Sequence, residues 1–510
     1  MDSQGSAATN RESIATQPAP PAGRSGVKEM DRSLAHSLAW KAGGDWISQI
    51  FSWVALLVIV RLLSPADFGL VAMGVILLPY LRCVGAFGVP RVVVNFPGLT
   101  EDQLAQLNSF SVLLGLACFA VAVVLAYPAA LFFREPRLVS VLIIASSSLI
   151  PWGVRAVSEG LLERDRRFRL LSMYDAVFAI ISAAITLIMA YLGFGYWALV
   201  WGNLLAIVVR SVMVVLARPH RYALPRLRAI REPLLFFWHV IVSLVAMNSY
   251  HTLDNVTVGR VLGGPALGFY GLAWTLANVP LEKVTSLVTS VVPSYLAVVQ
   301  NEPAEVRRYV RTLTEALSLV TFPATVGLGL VARELIPVAL GHKWDGVIVP
   351  LEILSVYAAF RSIVALLPRV LTAVGNPRFV MWSELFALLV MPTAFYIGTR
   401  WGTAGVAWAW VVAYPLVAGL LYWKTFAVIG MRTGEYVRAL RPALDGTIVM
   451  SAFVLLWKWT VPPTLPLVVR LAMEVAAGAI TYTGSAFLFH RERVKVFLQV
   501  ARSFKRSRRQ

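Results

Sequence analysis

Charge is scarce in this sequence. Asp, Glu, Lys and Arg make up 14% of its 510 residues, against about a quarter in soluble globular domains. With 58% hydrophobic residues and a mean hydropathy of +0.70, that deficit excludes a string of soluble domains. Cysteine is nearly absent. Cys83 and Cys118 lie inside apolar stretches, so neither a disulfide framework nor a thiolate metal site is available. The sequence also lacks a Walker loop, an HExxH pair, a Gly-rich dinucleotide turn and a CxxC pair. No polar segment between apolar stretches is long enough for a soluble catalytic domain. The chain is therefore expected to be no enzyme and to carry no cofactor and no metal. Acidic residues are few, 27 against 46 Lys and Arg, which gives a net charge of +19. Such an excess suggests nucleic acid, but its distribution points elsewhere.

Long apolar blocks are what the sequence does contain. A span needs about 20 apolar residues, and fourteen such blocks follow one another between residues 43 and 489. This predicts an all-α polytopic membrane protein of about 14 transmembrane helices. The eighth block, 267–298, is too long for one straight helix, and Pro280 and Pro293 are expected to break or kink it. Residues 1–39 are polar, rich in Ala, Pro, Gly and Ser, and hold no apolar core of a signal peptide, so they read as a disordered tail. With the N-terminus inside, the cytoplasmic segments hold 33 of the Lys and Arg residues, the opposite loops 8 and the spans 5. That asymmetry places both termini in the cytoplasm. It makes the basic residues inner-face anchors for anionic lipids, most plainly in RSFKRSRRQ at the C-terminus. Membrane lipids are thus expected partners, and nucleic acid is not.

The sequence also repeats itself. VIVRLLSPADFGLVAM (Val58 to Met73) matches VTVGRVLGGPALGFYGLA (Val256 to Ala273), with Arg61 on Arg260 and Gly69 on Gly268, an offset of 199 residues. A second echo joins GFGYWALVWG (Gly193 to Gly202) to WGTAGVAWAW (Trp401 to Trp410). The offset spans six helices, an even number, so the halves enter the membrane in the same direction. Two six-helix bundles in parallel repeat follow, related by an axis along the membrane normal. The expected layout is a cytoplasmic tail (1–39), an N-lobe of helices 1–6 (40–218) and a basic cytoplasmic linker (219–232). A C-lobe of helices 7–12 (233–424), helices 13 and 14 (440–490) and a basic cytoplasmic tail (491–510) complete it.

An ionisable group at bilayer depth is costly and should face a bundle interior or a wet cavity. Read at 3.6 residues per turn, Gln49 and Ser52 share a face with Asp45, and Asn248, His251 and Asn255 share another. Asn278 and Glu282 lie on a long polar stripe with Lys283 beside it. Arg82 and Arg361 stand in the second and tenth spans. These faces suggest a hydrated cavity between the bundles, with Arg82, Lys283 and Arg361 as its cationic groups and an anionic, above all phosphorylated, cargo. Plainer roles compete. Arg82 could lock helices by pairing with an acid, Lys283 could pair with Glu282, and His251 could be a satisfied buried histidine. Asp175, Glu384 and Glu474 are candidate partners for buried cations. Arg155 is counted among the inner-loop anchors, and Arg61 and Arg260 are placed at the outer interface. Tyr250, Tyr270 and Trp274 are candidate stacking surfaces for sugar rings.

RLLSPADFGLVAM resembles the first-to-second span region of the Wzx-type polysaccharide (O-antigen and exopolysaccharide) flippases. These form the lipopolysaccharide biosynthesis protein branch of the multidrug/oligosaccharidyl-lipid/polysaccharide exporter superfamily. LTEDQL (Leu99 to Leu104), LLERDRRF (Leu161 to Phe168) and GFGYWALVWG extend the resemblance over roughly residues 40–430. It implies a V-shaped, two-lobed fold, alternating access and residence in the bacterial inner membrane. The implied cargo is an undecaprenyl-diphosphate-linked oligosaccharide, moved from the inner to the outer leaflet for exopolysaccharide or lipopolysaccharide biosynthesis. It also implies work beside a polysaccharide polymerase and chain-length machinery. The alternatives are a cation-coupled drug or organic-cation antiporter of the same superfamily, a membrane glycosyltransferase or ligase, and a non-transporting scaffold.

Overall fold

In the computed structural model the described residues are 53–85, 88–96, 98–226, 252–299, 302–462 and 464–507, without the side chains of 85, 283–299, 490 and 492–507. They form helices and no strand. The first lobe holds α1 (Trp53–Leu62), α2 (Pro65–Val75), α3 (Leu78–Gly85), α4 (Gly88–Asn95), α5 (Glu101–Phe133), α6 (Leu138–Ser146), α7 (Leu149–Arg164), α8 (Phe168–Tyr191) and α9 (Tyr196–Ala217). The second holds α10 (252–262), α11 (Gly264–Val299), α12 (Pro303–Leu330), α13 (Ala332–Ala339), a 3₁₀ turn (His342–Val347), α14 (Ile348–Val364), α15 (Leu367–Ala373), α16 (Pro377–Gly398), α17 (Gly402–Val412) and α18 (Tyr414–Ile429). A last pair, α19 (Thr433–Thr460) and α20 (Leu467–Ser507), packs on α12 and α13.

Ten helical stretches among the described residues are long and apolar enough to cross a bilayer, and one of them, Pro377–Ile429, doubles back through α16, α17 and α18. The expected first and seventh spans lie partly outside the described residues. Of the expected break or kink, the break is absent: α11 runs as one helix of 36 residues through both Pro280 and Pro293. A proline in a packed membrane helix is tolerated where neighbours and local adjustments compensate for the lost main-chain bond.

The sequence motifs are helix starts. Ser64 Oγ accepts from Asp67 N at 3.2 Å, and Asp67 Oδ2 accepts from Ser64 N at 2.9 Å, a reciprocal capping box ahead of Pro65. Thr100 and Gln103 in LTEDQL repeat the device at the start of α5. GFGYW is the α8–α9 turn, where Gly193 and Gly195 have φ of +82° and +55°, and Gly402 (φ +69°) makes the corresponding turn before α17.

The two lobes meet at the repeated segment itself. α2 lies across α11 with backbone against backbone. A Cβ on Gly69 would come within 1.7 Å of the Gly264 carbonyl oxygen, and one on Gly268 within 2.0 Å of the Pro65 oxygen. Shifting numbers by 199 carries Pro65 to Gly264 and Gly69 to Gly268, so each contact maps onto the other. That reciprocity is the mark of a two-fold axis, here running between α2 and α11 within one chain. Beyond α2 the chain turns away, and α3 and α4 pack on α5 and α7 of their own lobe. Among the described residues, α2 against α11 is thus the main helix contact between the lobes.

Side chains latch the same end. Trp344, fully buried in the 3₁₀ turn, donates its indole N–H to the Val60 carbonyl at 2.9 Å. Lys343 donates to the carbonyls of Arg61 (2.6 Å) and Leu63 (2.7 Å). In return Arg61 donates to the carbonyls of Ala339 (2.8 Å) and Val338. Each lobe thus caps the open C-terminal carbonyls of a helix in the other, which places cations where the helix dipole favours them. Phe68 and Phe269 close on Trp344 edge-on, at 5.3 and 6.1 Å between ring centroids. Arg61 therefore binds lobe to lobe, and Arg260 lies over the Phe132 ring at 5.3 Å.

α13 is also held from behind. Buried Glu334 accepts from Lys458 at 2.5 Å and lies 3.5 Å from Arg470, and Lys458 also meets Glu474 at 3.2 Å. Two carboxylates this close are sustainable only with the cations between and beside them. The expected partnership of Glu474 with a buried cation is present here.

Gly268→Leu should wedge α2 from α11 and open the latched end. A cysteine placed at buried Val60 should then react several-fold faster with an impermeant maleimide than in the parent, and an unchanged rate would contradict the crossing as a closure.

Candidate functional site

Each lobe presents an arginine to a tryptophan. In the first lobe Trp152 and Arg155 lie about one turn apart on α7. The guanidinium of Arg155 sits 3.8 Å from the centre of the Trp152 ring, and that of Arg82, from α3, sits 4.3 Å from it. Stacked guanidinium–indole contacts are attractive and hold the cation's orientation. Arg155 is 2% exposed and begins a chain of charges across three helices. Glu159 lies 3.1 Å from Arg155 and 2.8 Å from Arg210, whose other branch meets Asp175 at 2.8 Å. Two guanidiniums, Arg155 and Arg210, thus share two carboxylates. Asp175 is paired with a buried cation, as expected. Beside this group, between α4 and α7, lies a polar pocket of about 330 Å³ bordered by Arg91, Asn95, Trp152, Glu159 and Glu163.

In the second lobe Arg361, on α14, donates to the side-chain oxygen of Asn278 on α11 at 2.6 Å. Its guanidinium lies 5.6 Å from the Trp274 ring centre. Asn278 donates in turn to the Trp274 carbonyl at 2.8 Å, so its amide is fixed before it meets the arginine. Behind Trp274 the rings of Tyr357, Trp410 and Tyr414 pack closely. At the base of that nest Asp254 is wholly buried. Its carboxylate accepts from the Tyr270 hydroxyl at 2.9 Å, Trp410 Nε1 at 3.3 Å and Asn255 N at 2.7 Å.

Of the residues singled out from sequence, Arg361 and Asn278 are joined directly. Arg82 stands in the opposite lobe. Asn255 is half-buried and serves Asp254 through its main chain, and Glu282 is exposed on α11. Lys283 lies on α11 with its side chain outside the described residues, and Gln49, Ser52, Asn248, His251 and Tyr250 also lie outside them. Two expectations are corrected. Tyr270 cannot stack on a sugar, because its ring is fully buried and its hydroxyl is committed to Asp254. Arg155 is no surface anchor: its side chain is buried against the Trp152 ring and paired with Glu159. Sequence reading missed Arg155 and Asp254 as buried groups. The first had a signal, since Trp152, Arg155 and Glu159 are spaced three and four apart on one helix face. Asp254 stood one position off the face that holds Asn248, His251 and Asn255.

Asp254→Leu would leave the Tyr270 hydroxyl without its acceptor, at about 1–3 kcal/mol for an orphaned group, while Trp410 Nε1 keeps the Tyr270 oxygen at 2.9 Å. Asp254→Leu should lower the unfolding temperature in detergent by several degrees and Asp254→Asn by much less. Equal values for the two variants would show that the hydrogen bonds do not matter to stability.

The family described as "Polysaccharide biosynthesis protein" matches residues 58–349. The succinoglycan biosynthesis transport protein ExoT of Rhizobium meliloti (strain 1021) is 22% identical over 487 residues, which cover 94% of this chain and 97% of that protein. The lipopolysaccharide biosynthesis protein WzxC of Escherichia coli (strain K12) is 22% identical over 412 residues, 79% of this chain and 82% of its own. Among solved structures, the lipid II flippase MurJ in an inward closed conformation superposes with a TM-score of 0.75 at 15% identity, covering 89% of this chain and 99% of its own. That likeness is one of fold. With the family matched over more than half of its length, this multi-pass membrane chain belongs to the polysaccharide biosynthesis protein family.

Proposed function

We propose that this protein is a flippase that carries lipid-linked oligosaccharide units across a bacterial inner membrane during exopolysaccharide or lipopolysaccharide biosynthesis, with both termini in the cytoplasm. The names of ExoT and WzxC support the polysaccharide setting. The observation that carries the reading is the pair of half-buried arginines, Arg82 and Arg361, one in each lobe, each held beside a tryptophan. A cation at bilayer depth is costly unless something anionic meets it. A prenyl diphosphate is such a group, and each guanidinium can grip it in two-point fashion while its indole or amide neighbour keeps the fork aimed. The sugars would occupy the space between the two lobes, and the prenyl chain would remain in lipid.

The steps follow from the geometry. With the latched end closed, cargo enters between the two lobes. Neutralising the two arginines removes their mutual repulsion and favours approach of the lobes. Closing the lobes strains the reciprocal crossing at Gly69 and Gly268 and releases the latch toward the other leaflet. The polymerase and chain-length machinery would receive the unit there. An exporter of organic cations would need a carboxylate facing its cargo. Asp254, the fully buried one, already has three donors on its oxygens.

In vesicles loaded with a fluorescent undecaprenyl-diphosphate saccharide, Arg82→Ala and Arg361→Ala should each slow translocation at least tenfold while inserting normally. Lysine at either position should restore part of the rate. Parental rates in both alanine variants would remove the anion-site reading, and saturable uptake of an organic cation instead would favour the antiporter.

A further inference from the structure

On the far side of α14 from Arg361 lies a second cavity, of about 900 Å³. Its walls are apolar and come from α12, α14, α18 and α19. α14 contributes Val356, Ala359 and Ile363, spaced three and four apart and so on one face. Arg361, two residues from Ala359 and from Ile363, projects about 200° around the helix from that face. The groove and the Arg361 site are therefore back to back, with α14 between them. The groove is open at its side: Val356, Trp423 and Ile448 on its rim are 51%, 66% and 63% exposed. Its floor carries the paired hydroxyls of Tyr422 and Tyr436, 3.1 Å apart.

One end of the groove has a charged collar. Met431 and Thr433, in the short turn between α18 and α19, line that end. Around them stand Arg307, which donates to the Gly430 carbonyl at 2.9 Å, Arg438, which donates to the Gly434 carbonyl at 3.1 Å, and Arg432 in the turn itself. The nearby carboxylates are Glu305, which lies 3.5 Å from Arg308, and Glu435. Four cations, Arg307, Arg308, Arg432 and Arg438, thus stand near two anions. α19 also begins here without a side-chain cap, its N-cap residue being Arg432, so its first main-chain amides point toward the collar.

An apolar slot entered from the side, with a cationic mouth at the end that the charge asymmetry assigns to the inner face, matches one amphiphile. We propose that this groove binds a resident anionic phospholipid, with an acyl chain along α14 and α19 and its phosphate at Arg307 and Arg432. The volume falls in the range of roughly 300–1,000 Å³ of ordinary ligand sites. The cargo's own tail fits less well, because a diphosphate held at Arg361 would have to pass its chain around α14 to reach the slot. The bound lipid would fill the seam between α19 and the second lobe and fasten the last helix pair to it. This proposal does not depend on the flippase reading.

The test uses the full chain in phosphatidylethanolamine vesicles containing phosphatidylglycerol with a photoactivatable acyl chain, and mass-spectrometric mapping of the labelled peptides. Label should concentrate in residues 356–363 and 422–448. A phosphatidylcholine probe of the same chain should label them at least fivefold less. Ala427→Trp, at the exposed rim, should abolish the labelling. Arg307→Gln with Arg432→Gln should reduce labelling by phosphatidylglycerol to the phosphatidylcholine level without any change in the slot's walls. Equal labelling by the two phospholipids, or persistence of label in both variants, overturns the proposal. So does labelling by a photoactivatable polyprenyl phosphate that phosphatidylglycerol fails to compete away, which would give the slot to the cargo's tail.

Discussion

The close approach of α2 and α11 is the constraint on which the rest of the arrangement depends. Two helices can bring their backbones together only where no Cβ stands between them, and this chain supplies Gly69 and Gly268 at equivalent places in its repeat. Because the contact is reciprocal, equivalent segments of the two lobes share one crossing. The arginine–tryptophan contacts of the two lobes lie away from it. The latch of Arg61, Lys343 and Trp344 reinforces the same end. Its acceptors are all main-chain carbonyls, so it does not rely on a partner side chain in the facing lobe.

The membrane sets the terms for the charged groups. In water, a guanidinium beside an indole would be a minor contact. At bilayer depth the alternative is an uncompensated cation, so stacking on Trp152, hydrogen bonding to Asn278 and the shared carboxylates of Glu159 and Asp175 become requirements. The first lobe solves this with an ion-pair chain through α7, α8 and α9. The second solves it with an amide and an aromatic nest anchored on Asp254. The repeat has kept the crossing of its two halves while their interiors have become chemically different.

Much of this architecture was legible in the sequence. Apolar block length gave the helices, and the matched Arg, Pro and Gly positions gave the repeat and, through it, the crossing. The motifs in RLLSPADFG and LTEDQL turned out to be local devices, capping boxes whose physics is contained in four residues. What escaped was long-range. For Arg155 the spacing to Trp152 and Glu159 was local, but its burial depends on Arg82 and Arg210 from other helices meeting the same group. Asp254 was passed over because its donors, Tyr270 and Trp410, lie 16 and 156 residues away. The continuity of α11 through Pro280 and Pro293 likewise depends on the helices packed around it, as does the groove behind α14.

The buried knot of Glu334, Lys458, Glu474 and Arg470 gives the last two helices a mechanical identity. α13 is gripped at its start by that knot and, five residues later, by Arg61 of the opposite lobe. α19 and α20 thus act as a brace, a fixed post behind the element that the facing lobe holds from the front.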